Sequence, residues 1–297
     1  MPHTPGYNVN NMVNKHKIYV GTSGWSYPRG EGTWKGHFYP PGTANELAYY
    51  SNFFNTVELN SSFYRPPDPR VSANWVNNTP DGFLFSIKLW QKFTHPDMYH
   101  AATGREAVIS QADVDLFKFS IEPIVTAGKA GVLLAQFPPS FNNMRENQRN
   151  LRAVMEAFNE YSLAVELRHR SWSDNPKTAG LLREYKTTWV KIDEPKFSSS
   201  VAQVLPQTAD FSYFRLHGRN REMWWKGSVE MRYKYLYSAE EITQLATQVK
   251  KTTQKATRTF VYFNNHWQAY APRNALDMVR EMGLPVKAPP PLFLPLE

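Results

Sequence analysis

Asn55-Thr-Val-Glu-Leu-Asn-Ser-Ser-Phe-Tyr-Arg-Pro-Pro67 is the stretch on which the fold reading turns. It begins as a short β-branched strand and breaks at Pro66-Pro67. Alternate side chains of a strand point to opposite faces, so Glu58 and Asn60 share one face and Val57 and Leu59 the other. A carboxylate and an amide on the last residues of a buried strand are costly unless paired. The cost is explained if the strand delivers them to a site.

Working outward, apolar strand-like runs recur at 18–23, 56–60, 83–88, 131–137, 163–168, 188–193, 211–217 and 259–264, and helical patterns separate most of them. Thr43 with Glu46 reads as a capping box ahead of Leu47, Tyr50 and Phe54, and Ser238 with Glu241 as another ahead of Ile242, Leu245 and Val249. Val114, Phe117, Ile121 and Ile124 fall at helical spacing, with a bend expected at Pro123. A last helix is predicted from Pro272 to Gly283, burying Leu276 and Val279. Repeated strand–helix alternation over roughly 250 residues is the arithmetic of a (β/α)₈ barrel. The rival, a doubly wound sheet, lacks its G-x-G-x-x-G turn. The expected fold is therefore α/β, a single TIM-barrel-like domain over 18–297. Residues 194–210 are too short and broken for a full helix, so the connection between strands six and seven is expected to be irregular. Residues 1–17 read as a flexible extension, and the Pro-rich tail at 288–295 as a surface segment.

These runs resemble the DUF72, or YecE-like, family in GTSGWSY at 21–27, WKGHFYPPG at 34–42, NTVELNSSFYRPP at 55–67 and FLFSIKLWQKFTH at 83–95. AQFPPSF at 135–141, VELRHRSW at 165–172, FRLHGRN at 214–220 and VYFNNH at 261–266 continue the resemblance in order. It covers roughly 18–283 and implies a TIM-barrel-like fold. It implies little about activity, because the family is defined by a domain of unknown function. The insertion PRGEGT between Tyr27 and Trp34 departs from the family's spacing and puts the geometry of the first loop in question.

Composition narrows the chemistry. With no cysteine among 297 residues, disulfides and thiolate chemistry are excluded, and a metal would need histidine and carboxylate ligands. The net charge of +8 favours anionic partners. No run reaches membrane-spanning length and the first residues lack the apolar centre of a signal peptide, so a cytoplasmic protein is expected, with no membrane partner. Oligomeric state is not encoded in any motif.

In such a barrel the site lies at the C-terminal ends of the strands. Those ends offer Trp25 and Tyr27 after the first, Glu58, Asn60 and Tyr64 after the second, and Lys88 and His95 after the third. Gln136 ends the fourth, Glu166 and Arg168 the fifth, Lys191 and Asp193 the sixth. Arg215 and His217 end the seventh, and Asn264 the eighth. Glu58 and Glu166 are the acid/base candidates, with His217 assisting; the bland reading pairs each with a neighbouring cation, such as Glu58 with Lys88. Lys88, Arg168, Lys191 and Arg215 would make the pocket net positive, with Trp25, Tyr27, Asn60, Tyr64, His95, Gln136, Asp193 and Asn264 completing the substrate contacts. Most of the loop tryptophans read as anchors, and 219–226 as a lid or a nucleic-acid contact. The first functional expectation is a hydrolase or isomerase acting on an anionic, phosphorylated or sugar-containing small molecule. A DNA-directed, metal-dependent endonuclease is the second, and a non-catalytic scaffold the third. No motif calls for a cofactor, while the carboxylates and histidines leave a divalent metal open.

Overall fold

In the computed structural model, which describes residues 17–202, 204–226 and 229–286, strands alternate with helices along the chain. The strands are β1 (Lys17–Thr22), β2 (Thr56–Leu59), β3 (Leu84–Lys88), β4 (Ala130–Gln136), β5 (Leu163–Glu166), β6 (Thr188–Trp189), β7 (Lys191–Asp193), β8 (Phe211–Leu216) and β9 (Arg258–Phe263). All pair in parallel, in two sheets ordered β2-β3-β4-β5-β6 and β1-β9-β8-β7. Helices cover the outer faces, so β2, β5 and β8 are buried along their whole length, as parallel strands covered on both sides must be. The architecture is α/β and TIM-barrel-like.

The sequence reading treated 188–193 as one strand. It divides at Val190: β6 pairs with β5, and β7 with β8, so the segment carries the chain from one sheet to the other. The other meeting of the sheets is between β1 and β2, through a bridge of Ser23 with Glu58 and a 2.8 Å bond from the Gly24 amide to the Glu58 carbonyl. There the backbones approach so closely that a Cβ on Gly21 would lie 2.3 Å from the Thr56 carbonyl oxygen. Tyr50, from the helix Glu46–Ser51, fits its hydroxyl into the same seam, accepting from the Thr22 amide at 2.9 Å and donating to the Thr56 carbonyl at 3.1 Å.

That helix is capped by Asn45, whose side chain accepts from the Ala48 amide; Thr43 instead turns its hydroxyl back to the Pro40 carbonyl. The Ser238–Glu241 box is present ahead of Ala239–Thr253, and Ser110 with Asp113 forms one ahead of Gln111–Thr126, a helix that runs on past Pro123. The last helix, Tyr270–Glu281, buries Leu276 and Val279. The described part of 194–210 contains no helix and no strand, as the broken sequence there predicts. Residues 1–16 and the tail at 288–295 lie outside the described residues, and Lys17, placed in the extension by sequence, opens β1.

Candidate active site

The strand registers decide which side chains face inward. Tyr213 and Arg215 on β8 stand beside Phe260 and Tyr262 on β9, while Glu58 on β2 stands beside Ser86 and Gln136 on β4 beside Glu166. The lower interior is closed by hydroxyls and rings: the Tyr262 hydroxyl lies 2.6 Å from Thr56 Oγ1 and 2.8 Å from Ser86 Oγ, and its ring centroid is 5.2 Å from that of Tyr213.

One step higher lies an ionic network. Arg215 donates from Nη2 to Glu58 Oε1 and from Nε to Oε2, at 2.7 and 2.9 Å, and from Nη1 to Glu166 Oε2 at 2.7 Å. The Tyr213 hydroxyl donates to Glu58 Oε2 at 2.7 Å. Glu166 Oε1 lies 3.1 Å from Arg168 Nε without the alignment of a hydrogen bond, and Arg168 Nη2 donates to Glu194 at 2.6 Å. Carboxylates and guanidinium groups thus alternate as Glu58, Arg215, Glu166, Arg168, Glu194. Burial by itself would raise the Glu166 carboxyl, but Arg215 and Arg168 outweigh it and hold it well below the usual carboxylate range. Burial, with Arg215 next, pushes His217 down to about 3, so its imidazole is neutral at pH 7. The Asn264 amide reaches His217 Nδ1 at 2.9 Å.

A cavity of about 580 Å³ opens on this network. Trp25, Trp75, Phe63 and Tyr64 give it aromatic walls, and Asn60, Gln136, His217 and Asn264 supply neutral polar groups. Its charged lining residues are Lys88, Arg168 and Arg215. Glu58 and Glu166 are fully buried and stand behind the wall rather than on it. The expected Glu58–Lys88 pair does not form. The Lys88 ammonium makes no hydrogen bond or ion pair with any described residue; it sits 3.9 Å above the centre of the Phe63 ring. Burial, reinforced by Arg215, lowers it to about 7. Asn60 Oδ1 is buried with no partner among the described residues.

Two of the predicted substrate contacts stand elsewhere. His95 lies behind Gln136, against Thr94 Oγ1 and the Phe63 ring, and burial pushes it down to about 3. Asp193 accepts from both Arg219 and the Tyr237 hydroxyl, outside the cavity lining. Lys191, which was to add to the positive charge, reaches Gln207 at 3.4 Å. The reason for both is parity. Lys191 pairs with Phe214 and Asp193 with Leu216, the residues of β8 that face away from Arg215, so the inward position falls to Ile192, and the next residue of that parity is Glu194. Glu194 and Tyr233 were missed by sequence, the first through this offset and the second because it lies in a loop with no strand end to mark it.

The insertion after Tyr27 closes on itself through a 3.0 Å bond from the Trp34 amide to the Tyr27 carbonyl, leaving Tyr27 stacked 4.4 Å from His266. Trp34 and Trp172 anchor loops through bonds to the His266 and Phe141 carbonyls. In the 219–226 segment, Arg219 pairs with Asp193 and Glu241, Trp224 is buried edge-on to His217, and Trp225 is exposed. Among the described residues there is no cluster of three or more histidine and carboxylate groups arranged to hold a metal ion, and no helix long and apolar enough to cross a membrane.

The family profile described as "Protein of unknown function DUF72" matches residues 19–293. The UPF0759 protein YunF of Bacillus subtilis is 32% identical over 280 residues, covering 90% of this chain and 95% of that protein. UPF0759 protein YecE of Escherichia coli is 26% identical over 156 residues, about half of each chain. The crystal structure of a DUF72 protein from Thermotoga maritima superposes with a TM-score of 0.78 at 36% identity, covering 90% of this chain and all of that one. One from Enterococcus faecalis gives the same TM-score at 27% identity, over 90% and 96% of the two chains. The chain belongs to the DUF72 family.

Proposed function

We propose that this protein is an enzyme acting on an anionic small molecule held in the cavity at the C-terminal ends of the strands. The observation that carries the reading is the distribution of charge: the charged residues lining the cavity are all cations, and the carboxylates that neutralise two of them stand behind. Arg215 is committed to Glu58 and Glu166, whereas Arg168 Nη1 and the Lys88 ammonium have no anionic partner among the described residues. An incoming phosphate or carboxylate satisfies both. Asn60 Oδ1 accepts a substrate hydroxyl, and the aromatic walls hold the carbon skeleton.

Proton transfer moves in this reading from the glutamates to Lys88. Glu58 and Glu166, clamped by arginine, brace the site. Lys88, brought down to about 7, exchanges a proton at neutral pH, as an isomerase or hydrolase requires. The convergence of the cations on one cavity favours a small substrate over a nucleic acid, which needs a basic track across the surface.

The test is a thermal-shift screen with inorganic phosphate, small carboxylates, sugar phosphates and short duplex DNA, each with Mg²⁺ and with EDTA. Small anions are expected to raise the midpoint by several degrees near saturation, irrespective of EDTA, and the shift to shrink in Lys88→Met and Arg168→Gln. A shift produced by DNA alone, or only with the divalent ion, overturns the reading.

A further inference from the structure

We propose that Lys88 is a nucleophile that forms an imine with the carbonyl carbon of its substrate, so that the substrate class is an anionic aldehyde or ketone: a 2-oxo acid or a phosphorylated carbonyl compound. This deepens the preceding reading and rests on it, since the same cavity must first accept the anion.

The geometry points to attack rather than to simple charge pairing. Three carboxylates lie in the strand-end interior, and each is already held by an arginine: Glu58 by Arg215, Glu166 by Arg215 and Arg168, Glu194 by Arg168. A lysine kept for its charge would be expected to share in that pairing. Lys88 ends β3 on the cavity wall and takes no part in it; its ammonium meets only the Phe63 ring among the described residues. A buried amine that no carboxylate pairs with, close to the guanidinium of Arg215, is the arrangement that favours the free-base form of lysine, the form that attacks a carbonyl. Its lowering to about 7 is in keeping with this. Arg168, whose Nη1 has no partner among the described residues and faces the same wall, takes the anionic group, and Asn60 Oδ1 lies ready for a hydroxyl.

The step balances without an added oxidant or reductant. The lone pair of neutral Nζ forms the C–N bond while the carbonyl π pair moves to oxygen, which takes up a proton. The nitrogen loses one proton to give a carbinolamine, whose hydroxyl takes up a second proton and leaves as water as the nitrogen lone pair closes the carbon–nitrogen double bond, giving the protonated imine; loss of the remaining N–H proton gives the neutral imine. One water is released for each imine. The imine, once protonated, withdraws electrons from the neighbouring carbon, which is what proton abstraction or carbon–carbon cleavage next to a carbonyl requires.

The experiment is reductive trapping on the full chain. The protein is incubated at pH 7 with sodium cyanoborohydride and either pyruvate or dihydroxyacetone phosphate, and adducts are located by peptide mass mapping. One adduct is expected, on the peptide containing Lys88, with a labelling rate at least ~10-fold above that of exposed lysines, whose free-base fraction at pH 7 is far smaller. The arm that labels faster distinguishes the 2-oxo acid from the phosphorylated carbonyl. The rate should rise with pH through about 7 and then level, and excess inorganic phosphate should slow it. Lys88→Arg should lose the adduct; because that variant can also suffer in folding, the pH profile and phosphate protection on the wild-type protein stand as independent readouts. Labelling spread evenly over surface lysines, or no adduct at Lys88, overturns the proposal. If lactate and glycerol 3-phosphate, which lack a carbonyl, still raise the thermal midpoint in that case, the anionic-substrate reading survives and the imine alone fails.

Discussion

Arg215 bonds to two carboxylates from three nitrogens, and all three groups are buried. Removing one partner of such a pair leaves a buried charge uncompensated, at a cost of about 3–5 kcal/mol. Glu58→Gln, which keeps the shape and removes the charge, is therefore expected to destabilise the fold by that amount in urea or thermal denaturation; a change below about 0.5 kcal/mol would falsify the assignment of Glu58 as a brace. Lys88 should behave in the opposite sense. Its ordinary value of 10.5 falls to about 7 in the fold, so between those values the unfolded chain binds the extra proton. The penalty on folding is complete below about pH 7 and fades as pH rises to 10.5. Lys88→Met is expected to stabilise the protein by about 2 kcal/mol at pH 7, after allowance for the side open to solvent, while weakening ligand binding. A less stable Met variant overturns the description of Lys88 as an unpaired, desolvated cation. Most of the cavity was legible at this scale, because a polar residue at the end of an apolar strand announces itself in the alternation. What could not be read was which cation each glutamate would choose. Glu58 and Arg215 are 157 positions apart, and only the folded registers bring them together.

Among the elements, strand order and extent were legible to within a residue or two, since apolar runs bounded by polar ends mark buried parallel strands. The division at Val190 was not, because nothing in Thr188–Asp193 signals that its two halves pair with different neighbours. The register of β7 against β8 then turns Asp193 and Lys191 away from the cavity, where the sequence reading had placed them. The seam between β1 and β2 is likewise held by groups with no sequence signature. Tyr50→Phe removes the hydroxyl shared by the Thr22 amide and the Thr56 carbonyl and should cost about 1–3 kcal/mol, with faster hydrogen exchange at the Thr22 amide than at the amides of β4. Gly21→Ala places a methyl where the Thr56 carbonyl already lies and should cost about 1–3 kcal/mol by forcing β1 away from β2. Normal stability in that variant sinks the account of the seam as a close backbone contact.

For the molecule as a whole, three buried imidazoles set the response to acid. Burial pushes His95 and His217 down to about 3 and His266 to about 4, against 6.5 in the unfolded chain. Below pH 6.5 the unfolded chain therefore binds more protons, and stability falls as pH falls towards 4, by up to about 1.4 kcal/mol per pH unit for each histidine. Chemical denaturation at pH 7 and 5 should show the loss, and His217→Gln should flatten the slope; an unchanged midpoint between those pH values counts against neutral burial. The fold class was legible because strand–helix alternation is a property of the whole sequence, whereas the meeting of the sheets depends on where single backbones touch. Arg215 belongs to the sheet of β1, β9, β8 and β7, while Glu58 and Glu166 belong to the other, so the charged triad spans the interior as a cross-brace. Such a brace constrains inheritance. Losing any one member leaves buried charged groups of the others without part of their pairing, whereas replacing all three with apolar groups of matching volume need cost nothing. The intermediate substitutions form a valley that a drifting lineage does not cross one step at a time, so descendants of this fold should keep the triad entire or exchange it entire.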